Sequence, residues 1–344
     1  MKRHWQAGVL LVLASLVLAF GVVIYLKYLA PRKDEPPVTS HSISRSISSS
    51  VESIQKSIAS SSEVETSSEP ETFDVAPVRQ AFESVFGQLK GQHSLYFQDL
   101  RDQQSQALVI GDTEMRSAST IKVLILATLY DEVAKGHLAL TDSHTLSAED
   151  IVGGTGNLQT KPAGSTYTLQ ELAQEMIVTS DNTATNILID YLGMEKVNAF
   201  IARQGYTQTR LSRKMLDMAA LEAGEDNYIS VKEVGDLMAK LYHRQLVNPQ
   251  ADREMLQILK QQQDRSNLLA NLPSGTTGYS KSGQFAEYGV RHDVAIIETP
   301  KGAFVLAVLS QDGEDSAQQQ ALQQFGANIY HLYTSSSIPN RSHH

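Results

Sequence analysis

The sequence predicts an α+β domain in which an antiparallel sheet is flanked by helices and interrupted by an all-α region. Three observations carry this reading. Strand-like runs occur near both ends of the ordered part, at residues 94–100 and 106–110 and again at 278–285, 293–299 and 303–310. The stretch between them, roughly residues 119–269, is mainly of helical character. Amphipathic helical patterns precede the first strand and follow the last, so both can lie against one face of a sheet.

Taken in order, Val78, Ala81, Phe82, Val85 and Leu89 fall at helical spacing and are closed by Gly91. Residues 94–100 and 106–110 then read as an antiparallel pair separated by polar turn residues. In the helical middle, Thr168 with Glu171 and Ser230 with Glu233 have the spacing of capping boxes, a hydroxyl and a carboxylate over a helix start. Pro300, Lys301 and Gly302 form the expected hairpin turn between the last two strands. Ala321, Leu322, Phe325, Ile329 and Tyr330 mark the closing helix. A site is expected where the sheet meets the all-helical part.

The ends are of a different kind. Residues 7–26 form an uncharged apolar run between Lys2, Arg3 and Lys27, long enough to cross ~30 Å of hydrocarbon. Residues 1–33 are therefore expected to be a cytoplasmic end and a transmembrane anchor. The competing reading is a cleaved secretory signal, whose apolar core is usually shorter. Residues 34–72 are Ser-rich with Glu, Thr and proline, too poor in large apolar side chains to order, and read as a flexible linker. Residues 73–336 make the folded domain and 337–344 a tail. The expected location is extracytoplasmic and membrane-anchored, or secreted if the first segment is cleaved.

Composition removes several function classes. The 344 residues carry a formal net charge of -9 and no Lys/Arg block, which argues against a nucleic-acid surface. There are no cysteines, so disulfides, thiolate metal sites and Cys nucleophiles are excluded. The histidines show no metal-ligand spacing, and neither a metal nor another cofactor is expected.

Three short motifs point to chemistry. Ser119-Thr120-Ile121-Lys122 opens a strongly apolar helix, and residues three apart share a helical face, so the hydroxyl and the amine can come within hydrogen-bond reach. Desolvation and neighbouring positive charge would lower the lysine pKa and suit it to take the Ser proton. Alone the pattern is weak, because the linker holds another copy, Ser53-Ile54-Gln55-Lys56. Ser180-Asp181-Asn182 and Lys281-Ser282-Gly283 supply the context, following at separations of about 60 and 100 residues. Each has a structural alternative: Ser180 and Asn182 as caps of a helix beginning at Thr183, and Lys281-Ser282-Gly283 as a strand with a bulge.

In this order the three motifs resemble the class A β-lactamase family of penicillin-recognising serine hydrolases. The likeness spans about residues 78–333 and includes the text Met176-Ile177-Val178-Thr179-Ser180-Asp181-Asn182-Thr183-Ala184-Thr185-Asn186. It implies a β-lactamase/transpeptidase-like fold, a Ser119 acyl-enzyme, Lys122 as proton acceptor and Ser180 as relay to the leaving nitrogen. By the same likeness Asn182 holds a side-chain amide of the substrate, and Lys281 and Ser282 bind its carboxylate. The likeness further implies that the backbone N–H groups of Ser119 and Gln284 form the oxyanion hole. Arg291 resembles an additional guanidinium for the carboxylate, with a surface pair to Glu287 or Asp293 as the alternative. His292, lacking a Ser or Asp at a recognised spacing, reads as structural.

One position departs from the family pattern. Where the family places a glutamate two residues after an arginine, here Arg213, this chain has Met215. A β-lactam acyl-enzyme is therefore expected to deacylate slowly. Asp217, Glu222 and Glu225 are nearby acids with no sequence feature placing them at Ser119. The expected substrates are β-lactams and/or D-alanyl peptides, with a carboxypeptidase or esterase as variants, and the alternative function is a cell-wall binding or adaptor protein with reduced turnover.

Overall fold

The computed structural model describes residues 73–336. The predicted anchor (1–33), linker (34–72) and tail (337–344) lie outside the described residues, among which no helix is long and apolar enough to cross a membrane.

Helix α1 (Ala76–Phe86) starts with a proline in its first turn, where the missing N–H costs nothing, and buries Val78, Phe82 and Phe86. It stops earlier than the apolar spacing suggested: Leu89 has already left the helix. Gly91 then turns the chain into β1 (Gln92–Asp99) at φ +110, where a Cβ would sit 2.4 Å from the Gln311 carbonyl oxygen. β1 pairs with β2 (Leu108–Ile110) in the expected antiparallel sense, Tyr96 opposite Val109.

After β3 (Met115–Arg116) and a 3₁₀ turn (Ala118–Ile121), α2 (Lys122–Ala134) enters the core. It is buried on nearly every side, as a helix apolar all round must be. The middle region is not purely helical, because β4 (Ser143–Thr145) and β5 (Thr166–Thr168) make a small two-stranded antiparallel sheet. Thr168 caps α3 (Leu169–Val178) with both bonds of a capping box. There follow α4 (Asn182–Leu192), α5 (Met194–Arg203), α6 (Met218–Glu222) and β6 (Tyr228–Ile229).

Ser230 caps α7 (Val231–Tyr242), but here only half of the predicted box forms. The Glu233 carboxylate accepts instead from the backbone N–H groups of Thr207 and Gln208, tying α7 to the turn after α5. Asn248 and Pro249 start α8 (Pro249–Leu259). The chain then returns to the sheet as β7 (Gly278–Phe285), β8 (Val290–Thr299) and β9 (Gly302–Gln311), and closes with α9 (Asp315–Ser335).

The five-stranded sheet runs β2-β1-β9-β8-β7, antiparallel throughout. Strand alternation divides its side chains between two cores. Leu95, Phe97, Phe304, Leu306 and Val308 face Phe82, Phe86, Phe325 and Ile329 of α1 and α9. Tyr96, Val305, Ala307 and Leu309 face the helices of the middle region. Truncating a ring such as Phe325, fully buried and edge-on to Phe82 and Phe86, would cost about 3–5 kcal/mol. Edge strand β7 lies against the 3₁₀ turn, so the predicted motifs converge at the seam between sheet and helices.

Candidate active site

A cleft of about 720 Å³ opens along this seam, and Ser119, Ser180, Asn182, Ser282 and Gln284 all line it. Ser119 sits in the 3₁₀ turn immediately after Ala118, whose φ of +43 is a left-handed conformation that L-residues adopt at a cost. Strand β7 approaches this turn through Gly283. A Cβ there would lie 3.2 Å from Ser119 N and 3.1 Å from Thr120 N, so glycine is what lets the strand edge lie against the nucleophile's backbone.

Lys122 is fully buried and all three of its ammonium protons are accounted for. They go to the Ser180 carbonyl oxygen at 2.6 Å, Ser180 Oγ at 3.1 Å and Asn182 Oδ1 at 3.0 Å. The expected hydrogen bond between Lys122 and Ser119 is not among them. Burial, reinforced by the charge of Lys281 and opposed by Asp181, holds the Lys122 pKa well below the ordinary lysine value. A lysine that gives up a proton loses one of these donors and becomes an acceptor.

Ser180 owes its placement to backbone geometry and to Asp181. Its φ is +57, another left-handed residue outside glycine. Asp181, not Ser180 or Asn182, caps α4 by accepting from Ala184 N at 2.8 Å. Capping by the middle residue of the motif leaves the flanking two to face Lys122. Asn182 also donates to the Gly153 carbonyl at 3.2 Å, and Thr155 Oγ1 donates to the Ser180 carbonyl at 2.7 Å.

From the opposite wall Lys281, also fully buried, donates to Ser180 Oγ at 3.1 Å and to the Ser282 carbonyl at 2.8 Å. Burial lowers its pKa to about 8, against the opposing charges of Asp264 and Asp293. Ser282 Oγ accepts from Gln262 Nε2 at 3.0 Å.

Two predicted positions resolve differently from one another. Arg291 does not line the cleft. Nor does it pair with Glu287 or Asp293: its Nε and one terminal nitrogen bind the two oxygens of Asp315 at 2.7 and 2.6 Å, and the other terminal nitrogen donates to Asn267 Oδ1 at 3.0 Å. A guanidinium committed in this way to the start of α9 is a structural pair. His292 is structural as expected. Its Nε2 donates to the Arg116 carbonyl at 2.7 Å and its Nδ1 accepts from Ser310 N at 3.0 Å, and burial pushes its pKa down to about 4.

Met215 lies on the cleft, 8 % exposed, with its backbone gripped from both sides by the Asn186 amide at 2.7 and 3.1 Å. Leu216 and Met218, the large apolar residues most exposed among those described, line the cleft beside it. Asp217 caps α6 through Ala220 N at 3.0 Å, and neither it, Glu222 nor Glu225 reaches the cleft. The acid that does is Asp264, which no sequence pattern indicated: it sits in the loop after α8, brought to Ser282 only by the return of β7.

The comparisons agree with this geometry. The profile of the beta-lactamase enzyme family matches residues 77–333. The beta-lactamase CARB-3 of Pseudomonas aeruginosa is 25% identical over 233 residues, covering 66% of this chain and 80% of that protein. A beta-lactamase of Bacillus licheniformis is 28% identical over 211 residues, 60% of this chain and 67% of its own length. Among solved structures, the beta-lactamase of Sphaerobacter thermophilus superposes with a TM-score of 0.69 at 28% identity, covering 76% of this chain and 98% of its own. PBP-A does so at 0.69 and 26%, over 78% and 99%. With the fold, the motif order and the match over most of its length in agreement, the chain belongs to the beta-lactamase enzyme family and is a serine hydrolase of β-lactamase-like fold.

Proposed function

We propose that the domain transfers the acyl group of β-lactams or D-alanyl peptides onto Ser119 and releases it slowly. The carrying observation is Ser180 Oγ, shared by Lys122 and Lys281 in the cleft that Ser119 also lines. In this reading neutral Lys122 takes the Ser119 proton as Oγ attacks the carbonyl carbon. The backbone N–H groups of Ser119 and Gln284 stabilise the oxyanion, and the C–N bond breaks as Ser180 passes a proton to the leaving nitrogen. Lys122 then reprotonates Ser180. Asn182 holds the acyl side-chain amide, and Lys281 with Ser282 orients the leaving group.

Slow release rests on Met215, since an apolar thioether cannot activate water and the cleft places no other carboxylate in its position. A leucine-to-glutamate variant of PBP-A has been captured as an acyl-enzyme with penicillin G, which makes the penicillin adduct the natural probe. Intact-mass spectrometry of the full chain with penicillin should show a stoichiometric adduct that persists for minutes to hours and is absent from Ser119→Ala. Labelling of that variant would sink the assignment, and rapid penicillin loss without an adduct would sink slow release. An adaptor with no turnover, the second reading, is favoured by Met215 alone and would bind without acylation.

The apolar run 7–26 and the Ser-rich stretch after it support a membrane anchor and a spacer that holds the domain on the extracytoplasmic side, within reach of the cell wall. The chain should then stay with membranes through a high-salt wash; release by salt overturns the anchor.

A further inference from the structure

Charge in the cleft is distributed unlike that of a site built to grip an anion. The carboxylate-binding wall expected from Lys281 and Ser282 has an acid on it: Asp264 is exposed and is, among the described residues, the one acidic side chain lining the cleft. Its Oδ1 accepts from the backbone N–H of Ser266 at 3.0 Å and its hydroxyl at 2.6 Å, which fixes the carboxylate in place. Partial burial opposes the charge, but the hydroxyls of Ser266 and Ser282 and the nearby Lys281 hold the carboxyl below its ordinary pKa, so it is ionised at neutral pH.

The positive side of the balance is thin. Lys281 shares its protons with Ser180 and Ser282. Arg213, which also lines the cleft, is buried in a pair with Asp226 at 2.8 Å. Arg291 is held by Asp315 and Asn267. A free carboxylate placed against Ser282 would meet one lysine and one fixed negative charge, with no unpaired guanidinium among the described residues that line the cleft.

We propose that Asp264 is a specificity-determining residue that disfavours a free carboxylate beside Ser282, so that the preferred acyl donors carry an uncharged leaving group, as in an internal peptide or an ester. This deepens the acyl-transfer reading above and rests on it. The leaving groups of penicillins and of terminal D-alanyl peptides carry such a carboxylate and are the poorer donors. Like-charge repulsion at an exposed site supplies discrimination without any change in the reacting groups.

The test uses the full chain and two N-acyl-D-alanyl thioesters that differ only in the leaving thiol, thioglycolate or thioglycolamide. Thiol release and the mass of the Ser119 adduct give kcat/KM for each. The expected wild-type preference is for the amide donor. Asp264→Asn should raise the carboxylate-to-amide ratio of kcat/KM by about fivefold, and Asp264→Lys by more. A loss of folding or cleft shape moves both donors together and leaves that ratio where it was. A wild-type preference for the carboxylate donor, or a ratio unmoved by either substitution, overturns the inference while leaving acyl transfer intact. Failure of both donors and of penicillin to modify Ser119 in the folded chain overturns the acyl-transfer reading itself, and this inference with it.

Discussion

Lys122 and Lys281 meet on one oxygen: each ammonium nitrogen lies 3.1 Å from Ser180 Oγ, although one lysine opens a core helix and the other sits on an edge strand. A hydroxyl accepts two hydrogen bonds and donates one. With both acceptor positions taken by lysines, Ser180 keeps its own proton to donate, which in the proposed mechanism goes to the leaving nitrogen. Ser180→Ala should therefore lower the rate of Ser119 acylation about 10²-fold, with the nucleophile still present. Rate constants for adduct formation with penicillin check this, and an unchanged rate would remove Ser180 from the relay.

The lowered pKa of Lys281 sets a pH limit. Its folded value is about 8, so its positive charge is present below that pH and lost as pH rises through it. Acylation by donors with a carboxylate should fall as pH passes about 8, chiefly through KM. Lys281→Arg, which keeps its charge, should move that fall to higher pH or remove it. A profile still flat to pH 10 in the wild type would contradict the assignment.

Adding the missing acid tests the reading of Met215. Asn186 holds the backbone of residue 215 by both hydrogen-bonding edges of its amide, so a Met215→Glu side chain should project from the same place. The penicillin adduct of that variant should decay at least about tenfold faster than wild type, seen by following the adduct mass after free penicillin is removed. An unaltered lifetime would mean that residue 215 does not face the acyl carbonyl.

Most of the site was legible because it is written in short local strings. Ser119 to Lys122, Ser180 to Asn182 and Lys281 to Gly283 can each be read within one turn or strand, although Lys122 bonds Ser180 and Asn182 and not Ser119 as expected, and Met215 was visible as a departure from a fixed spacing. What was not legible depends on partners distant in sequence. Asp315, the partner of Arg291, lies across the β8–β9 hairpin. Glu233 abandons its capping box for backbone N–H groups at Thr207 and Gln208, whose nearness only the packing of α7 decides. The Ser180/Asn182 capping alternative failed for a local reason, because Asp181 between them reaches Ala184 N and takes that role.

Arg291 tests whether that correction holds. Removing a guanidinium side chain that is 8 % exposed takes the partner from the buried Asn267 oxygen and leaves the half-exposed Asp315 with only Gln284. Arg291→Ala should cost about 1–3 kcal/mol of stability, read as a lower denaturant midpoint. It should change acylation by carboxylate and carboxamide donors in equal proportion. A selective loss for the carboxylate donor would restore the role its sequence position suggested.

Gly283 tests the proposed oxyanion hole against mere strand pairing. Its missing Cβ leaves 3.1–3.2 Å to Ser119 N, Thr120 N and the Ser117 carbonyl oxygen, a distance at which a real side chain forces its neighbours apart by a few tenths of an ångström. Gly283→Ala should therefore push β7 from the 3₁₀ turn and widen the gap between the N–H groups of Ser119 and Gln284. Donors spaced for a developing oxyanion lose strength quickly with such displacement, so acylation should fall by about tenfold or more. The sheet itself has less to lose, because β7 is an edge strand and its other neighbour, β8, is untouched. A thermal midpoint within a few degrees of wild type together with a slow adduct is the expected pair of results. Slow acylation with a collapse in stability would instead make Gly283 a packing residue, and normal acylation would show that the oxyanion is held elsewhere.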